Sequence, residues 1–425
     1  MMTHALSTIR AQKALIALLL LFSVSLALSK TAVNIVMTLT YLTALLFAIR
    51  FKDYRTVLAS HMNQPLVLPL LLYIAVTGIG VFYTENSADG MGIVNKTAGL
   101  LLVYYMTSVL IETVPENEEK HRISETLVLL FITGIMVLDI VGLLTYGGII
   151  GDRKFSLPLY PMHVHHIWFA NLNALGIYAA SSFFLFGELP RHSRKRALLI
   201  AFIMLAVLSI LLSTSRTAWL GMTVTSIILT YLYAGKKRIF FLTLAAVLAA
   251  CLLAYQYVPL VHDRMDAGFT DISQYAAGIR QTSMGLRFLM WKASTAMFLS
   301  SPLFGVGTGD YVVTMHHYIA SGAYPASLMQ FNQPHNMYLF SLATNGLAGL
   351  SALLFVFYSI FKCARTRMRM DRRAGFLAFI ALATGIHFMV GGLTDSFFNI
   401  QILRTAFAFL IGVSIRAMND RDHPD

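Results

Sequence analysis

The feature that most constrains this chain is a series of long apolar runs that recurs along nearly its whole length. Runs of about 17–25 mainly apolar residues can cross the hydrocarbon core of a bilayer as α-helices. We predict about twelve such spans, at residues 13–29, 32–50, 65–84, 95–114, 124–146, 165–186, 197–212, 217–234, 238–258, 336–360, 375–394 and 402–417. The chain is therefore predicted to be an all-α, polytopic integral membrane protein.

The composition supports a membrane protein. Only 12% of the residues are charged, whereas roughly a quarter are charged in a soluble globular chain. The net charge of +12 would suit nucleic acid in a soluble protein, but in a membrane protein it more often reflects basic cytoplasmic loops. We predict membrane lipids as partners and no nucleic acid. Cys251 and Cys363 fall on opposite ends of different segments and indicate neither a disulfide nor a metal site.

The distribution of basic residues predicts the orientation. If both termini are cytoplasmic, 22 of the 32 lysines and arginines fall in cytoplasmic segments and ten fall elsewhere, as the positive-inside rule requires. The sequence then divides into spans one to nine at 1–258, an outer loop between spans nine and ten at 259–334, and the last three spans with a short cytoplasmic tail at 335–425.

The outer loop is too long and too varied for a simple connection. In "QTSMGLRFLMWKASTAMFLS", Leu286, Met290 and Ala293 fall on one helical face, and Arg280 and Arg287 are two turns apart. We predict helices that lie on or dip into the outer membrane face, with Trp291 at the interface. The following "SPLFGVGTGDY" (301–311) is interpreted mainly as a tight turn, with close approach to a ligand as the alternative.

Arg216 lies in "LLSTSRTAWLG", the very short connection between spans seven and eight, and must therefore sit at the outer membrane edge. Ser215 is one of several neighbouring hydroxyl residues. An arginine among hydroxyl donors suits a bound phosphate group, and the alternative is a simple membrane anchor.

"QPHNMY" places His335 at the outer start of span ten, between Gln333 and Asn336. It is either a boundary residue or a base, and nearby cations would favour its neutral, proton-accepting form. Asp395, in "GLTDSFF" at the outer end of span eleven, could orient it or balance an arginine.

Three other features carry weaker signals. "HVHH" (163–166), with His316 and His317, could form a metal cluster, but polar caps at the membrane edge explain these histidines better. Asp139 and His387 lie at membrane depth, where ionisable groups are either functional or packed in pairs.

Arginines and a histidine on one membrane face favour glycosyl transfer from a lipid diphosphate. The arginines would stabilise the leaving diphosphate, and His335 would deprotonate the acceptor hydroxyl. Because no ATP is present outside the inner membrane, the donor must arrive activated. We predict an inverting reaction that needs neither metal nor cofactor.

Over roughly residues 200–400, the sequence resembles the bacterial O-antigen ligase and polymerase superfamily. The resemblance is carried by three motifs: "STSR" with Trp219 and Gly221 behind it, "GLRFLMW" before "SPLFGVGTG", and "QPHN" at the start of the next span. The chain looks most like the ligase, which implies transfer of O-antigen from undecaprenyl diphosphate to lipid A–core at the periplasmic face of the inner membrane. The resemblance implies roles for Arg216, Arg264, Arg287, His335 and Asp395. Gly346 matches the ligase pattern, but Gly349 stands where threonine or valine belongs, which leaves ligase or polymerase open.

The predicted site therefore has catalytic and substrate-binding members. The catalytic residues are His335, Arg216 and Arg287, and the substrate-binding residues are Arg264, Arg280, Asp395, Ser215, Gln333 and Asn336. A transporter or flippase for the lipid-linked sugar is the alternative from another class, although transporters place polar groups near the bilayer midplane and often show repeats. A purely structural scaffold would leave the arginines and the histidine unexplained.

Overall fold

Helices make up all the regular structure in the part of the chain that the computed structural model describes. That part comprises residues 2–52, 55–56, 59, 63–151, 157–161, 164–187, 193–233, 235–368 and 370–416, with side chains from residue 11 onward. The prediction of an all-α chain is confirmed for these residues.

Each of the twelve predicted spans coincides with one helix. These helices are α1 (Met2–Leu28), α2 (Lys30–Arg50), α3 (Val67–Val81), α4 (Ser87–Glu112), α5 (Asn117–Tyr146), α6 (His166–Leu185), α7 (Arg194–Leu212), α8 (Arg216–Tyr233), α9 (Lys237–Tyr257), α13 (Met337–Arg367), α14 (Arg372–Gly391) and α15 (Gln401–Ser414).

Eight of the twelve are long and apolar enough to cross a membrane: α1, α2, α4, α5, α7, α9, α13 and α14. Helices α3 and α15 are apolar but have only 15 and 14 residues. Helix α6 carries polar residues such as Asn171 and Asn173, which are fully buried against neighbouring helices. The count of twelve spans therefore stays a prediction.

The segment 259–334 forms three further helices, α10 (Pro259–Ala276), α11 (Ser283–Ser300) and α12 (Tyr311–Ala320), and a 3-10 helix at Ala326–Gln330. It has its own small apolar core, in which Met290, Tyr311 and Leu328 are buried. Met290 and Ala293 are buried and Leu286 packs against them, so the predicted apolar face is confirmed. The prediction that Arg280 shares this helix is wrong, because α11 begins at Ser283.

The glycine-rich stretch 301–311 is hydrogen-bonded to α3 and α13. The Val306 amide donates to Ala343 O at 2.9 Å, and the Thr308 amide donates to Gly80 O at 3.1 Å. Gly305 has a φ of +72°, and a Cβ there would lie 2.4 Å from the Asn345 amide nitrogen. The glycines thus let the loop backbone approach α3 and the first turns of α13, which supports the tight-turn interpretation.

Segments that the predicted topology places on the same side of the membrane contact each other at the ends of the bundle. At one end, Lys120 Nζ lies 2.7 Å from Glu112 Oε2, and Arg416 Nε lies 3.4 Å from Glu112 Oε1. At the other end, Gln401 Nε2 donates to Asn34 Oδ1 at 2.6 Å. Segments expected on the same side of the membrane are therefore in contact.

Two ionisable groups inside the bundle are packed in polar pairs. Asn173 Nδ2 donates to Asp139 Oδ1 at 2.9 Å, and both side chains are fully buried. His387 Nε2 lies 3.0 Å from Asn171 Oδ1, and the His387 ring packs against Gly221. These contacts tie α6 to its neighbours and fit the structural interpretation.

Candidate functional site

His335 lies immediately before the N-cap of α13 and has an unusual backbone. Its φ is +50°, a left-handed conformation that few residues other than glycine adopt. The backbone is held on both sides: Trp291 Nε1 donates to Pro334 O at 3.0 Å, and Asn336 caps α13. Strained backbone of this kind concentrates at functional sites.

The side chain of His335 is oriented by Asp395. The distance from His335 Nδ1 to Asp395 Oδ1 is 3.1 Å. Asp395 is 3% exposed and its Oδ1 also accepts the Ser396 amide at 2.8 Å. A carboxylate partner favours the tautomer with the proton on Nδ1, which leaves Nε2 as the acceptor. The His335 side chain is 26% exposed, so a substrate can reach it.

Arg216 and Arg264 meet beside the short connection between α7 and α8. Arg264 Nε donates to Thr214 O at 3.3 Å, and Arg264 and Arg287 are the two cations that act on Arg216. A Cβ at Gly268 of α10 would lie only 2.5 Å from Arg216 Nη1. The absence of a side chain at this position lets the Arg216 guanidinium lie against α10.

Arg287 connects the arginines to the histidine. Burial lowers its pKa, the charge of Asp395 raises it, and the charge of Arg264 lowers it. Among the described residues, none of Arg216, Arg264 and Arg287 forms an ion pair within 4.0 Å. Asp271 and Asp395 act on these arginines from beyond ion-pair distance. Three cations near two carboxylates leave an excess of positive charge, which favours an anionic ligand.

Two further contacts join the predicted segments. Thr394 Oγ1 donates to Thr217 Oγ1 at 3.1 Å, which links the residues next to Asp395 and Arg216. Asn399 Nδ2 donates to Gln333 Oε1 at 3.2 Å. The structure therefore brings together Arg216, Arg264, Arg287, His335 and Asp395, with Gln333 at the edge.

Three predicted members have a different setting. Arg280 is exposed between α10 and α11 and is not among the charges acting on Arg216 or Arg287. Ser215 is 2% exposed, and its Oγ accepts from the Ala218 amide at 3.4 Å. Asn336 Oδ1 accepts the Tyr338 and Leu339 amides, and its Nδ2 donates to Leu393 O, so this side chain positions the loop before α13.

Sequence reasoning gave too little weight to His165 and His166. Asp395 and His335 are the charged groups that act on His165, which places His165 near the histidine–aspartate pair. His166 Nδ1 lies 2.9 Å from Ser213 O, beside the Arg216 segment. The position of "HVHH" at the predicted outer end of a span was the available signal. No cluster of three or more metal-ligating residues occurs in the described part, and His163 lies outside it.

The class that fold and site define is a helical membrane protein with a cluster of arginines and a paired histidine at one end of the bundle. Residues 199–354 of the chain match the family model described as "O-Antigen ligase". This part of the chain is therefore similar to that family, which is consistent with the O-antigen ligase/polymerase superfamily, whose members are membrane glycosyltransferase-like enzymes. The match contains Arg216, Arg264, Arg287 and His335, whereas Asp395 lies beyond it.

A protein from Haemophilus influenzae, named only "Uncharacterized protein", is 32% identical to this chain over 160 residues. The aligned region covers 36% of this chain and 40% of that protein. The chain thus spans two fifths of the length of this curated relative.

Proposed function

We propose that this protein is an O-antigen ligase of the bacterial inner membrane. It transfers O-antigen from undecaprenyl diphosphate to a sugar hydroxyl of lipid A–core, with the site facing the periplasm and both termini in the cytoplasm. The observation that carries the proposal is the His335–Asp395 pair, 3.1 Å apart, next to three arginines that form no ion pair within 4.0 Å in the described part of the chain. The match to the O-antigen ligase family at 199–354 supports it.

In this proposal His335 is the general base. With Nδ1 bound to Asp395, Nε2 accepts the proton of the acceptor hydroxyl. Asp395 holds the ring orientation and stabilises the imidazolium that forms, as carboxylates do in other histidine dyads. The acceptor oxygen then bonds to the anomeric carbon of the donor glycan.

Arg216, Arg264 and Arg287 bind the diphosphate of the donor. The bond between the anomeric carbon and the phosphate oxygen breaks, and its electron pair leaves with undecaprenyl diphosphate. Fixed guanidinium groups stabilise the developing charge, and the part-buried setting of Arg287 strengthens this interaction. Attack from the face opposite the leaving group inverts the anomeric configuration.

An O-antigen polymerase is the second candidate because of Gly349. A Cβ at Gly349 would lie 2.4 Å from Asn345 Cβ, so the kinked start of α13 has no room for the threonine or valine of the ligase pattern. A polymerase would use the same base and arginines with another lipid-linked repeat as the acceptor.

Reconstitution with lipid-linked O-antigen tests the proposal. We expect lipid A–core to be extended, and His335→Gln to abolish extension while the protein stays folded in the membrane. Extension of a second lipid-linked repeat alone would identify a polymerase instead. Flux of lipid-linked glycan across the bilayer without extension would identify a transporter.

The same assay in excess chelator tests whether a divalent metal is needed. We expect transfer to continue, because the three arginines supply positive charge at the leaving group. Strong inhibition that magnesium reverses would contradict this part of the proposal.

A further inference from the structure

A second polar cavity lies apart from the arginines. It is a small, partly open space between α3, α4, the first turns of α13 and the segment 396–399. None of Arg216, Arg264, Arg287 and His335 lines it. The cavity and the His335 site nevertheless share a short segment, because Ser396 lines the cavity and directly follows Asp395.

The cavity contains a cation without an ion-pair partner. Lys96, on α4, lines it, and the charged groups that act on Lys96 are Arg404 and Asp89. No carboxylate in the described part lies within ion-pair distance of the Lys96 ammonium group. Lys96 is the second residue of the predicted span 95–114, so this cation lies at the membrane boundary, beside the cavity.

Two buried hydroxyl groups line the same cavity and have no partner. Ser341 is 4% exposed and Ser396 is 1% exposed, and the Oγ of each makes no hydrogen bond within the described structure. Buried hydroxyls are nearly always hydrogen-bonded in folded proteins, since leaving one unpaired costs free energy. Each hydroxyl therefore keeps an unused donor beside the cavity.

A second cation adds positive charge at the rim. Arg404 donates through Nη1 to the carbonyl of Phe398 at 2.7 Å, and Phe398 lines the cavity. An ammonium group, two hydroxyl donors and a nearby guanidinium form a donor set that suits an oxyanion. Two positive charges match a phosphate group better than a neutral sugar.

We propose that this cavity binds the phosphate group of a ligand, separately from the diphosphate site at the arginines. Lys96 supplies the charge, and Ser341 and Ser396 donate hydrogen bonds to the phosphate oxygens. The phosphate comes either from a lipid headgroup or from free phosphate. This inference does not rest on the proposed glycosyl transfer, because it concerns binding alone.

The test uses the full chain, purified in a neutral detergent, with Arg216→Ala and Arg287→Ala introduced to weaken the arginine site. In one arm, inorganic phosphate is titrated into the protein and binding is measured by calorimetry. In the other arm, phosphatidylglycerol is added and its complexes are detected by native mass spectrometry, with diacylglycerol as the phosphate-free control. We expect Lys96→Met to weaken phosphate binding by about tenfold or more, because a hydrogen bond to a charged group is lost. Lys52→Met, which removes an exposed lysine elsewhere, is the matched control.

Binding of phosphatidylglycerol alone identifies a lipid headgroup as the ligand, and binding of inorganic phosphate alone identifies free phosphate. If Lys96→Met fails to fold, Ser341→Ala and Ser396→Ala replace it, each with a several-fold expected loss. The proposal is overturned if neither ligand binds, or if binding is unchanged in the Lys96 and serine variants. It is also overturned if diacylglycerol binds as well as phosphatidylglycerol.

Discussion

At the scale of single residues, His335 is constrained twice. Its backbone is held in the left-handed region, and its Nδ1 lies 3.1 Å from a carboxylate that is 3% exposed. Together these constraints fix the direction of Nε2, the atom that would accept a proton. A histidine that merely marked a helix boundary would need neither constraint.

Asp395→Asn tests the role of this pair. Asparagine keeps the size of the side chain but loses the charge that stabilises the imidazolium, so we expect the transfer rate to fall by roughly 10²–10⁴-fold. The initial rate of glycan transfer measures the effect. Asp371→Asn is the control, since Asp371 caps α14 at the other end of the bundle and asparagine caps equally well. An unchanged rate in the Asp395 variant would show that the carboxylate is not part of the machinery.

Gly268→Ala separates activity from stability. The new Cβ would lie 2.5 Å from Arg216 Nη1, so the flexible guanidinium must move while the backbone stays in place. Alanine also favours the helical state by up to about 1 kcal/mol, and we expect the melting temperature to hold or rise while transfer falls about tenfold. Gly78→Ala, in α3 with no atom within 4 Å of its Cβ, is the control. Equal activity in both variants would indicate that the position of Arg216 is unimportant.

At the scale of elements, three separate segments hold residues 333–337. Trp291 of α11 binds Pro334 O, Asn399 binds Gln333, and Asn336 Nδ2 binds Leu393 O, while the Met337 amide donates to Gly392 O at 2.7 Å. The loop before α13 is therefore positioned by α11, the end of α14 and the turn before α15. The site depends on how these elements dock as much as on the site residues themselves.

Asn336→Ala tests this docking against a matched helix cap. Loss of an N-cap typically costs about 0.5–2 kcal/mol, and Ser193, whose Oγ accepts the Arg196 amide at 3.2 Å, caps α7 in the same way. We expect Asn336→Ala and Ser193→Ala to lower the melting temperature by similar amounts, with transfer impaired only in the Asn336 variant. Melting curves and transfer rates of both variants provide the comparison. A similar loss of transfer in both would assign Asn336 a purely stabilising role.

At the scale of the whole molecule, the helices were largely predictable and their docking was not. Each apolar run became a helix because length and composition carry that information locally. The glycines at 305, 307 and 309 were interpreted mainly as a turn, since their contacts with Thr84, α4 and α13 are between segments far apart in sequence. Arg216, Arg287 and His335 were found because polar groups at apolar boundaries are conspicuous. Arg280 lies apart from the other site arginines because α11 starts three residues after it. The start of α11 depends on the N-cap at Thr282, which the apolar pattern did not reveal.

Orientation across the membrane is the last prediction, and it rests on charge. Cytoplasmic segments hold 22 of the 32 basic residues if both termini are cytoplasmic, so Ser321 should face the periplasm and Lys236 the cytoplasm. Both residues are exposed and lie next to helix ends. We expect Ser321→Cys, in a chain with Cys251→Ala and Cys363→Ala, to react with a membrane-impermeant maleimide in cells with a permeable outer membrane. Lys236→Cys should react only after the inner membrane is broken. The reverse pattern would place the arginines and His335 in the cytoplasm, and donors activated by cytoplasmic nucleotides would then have to be considered.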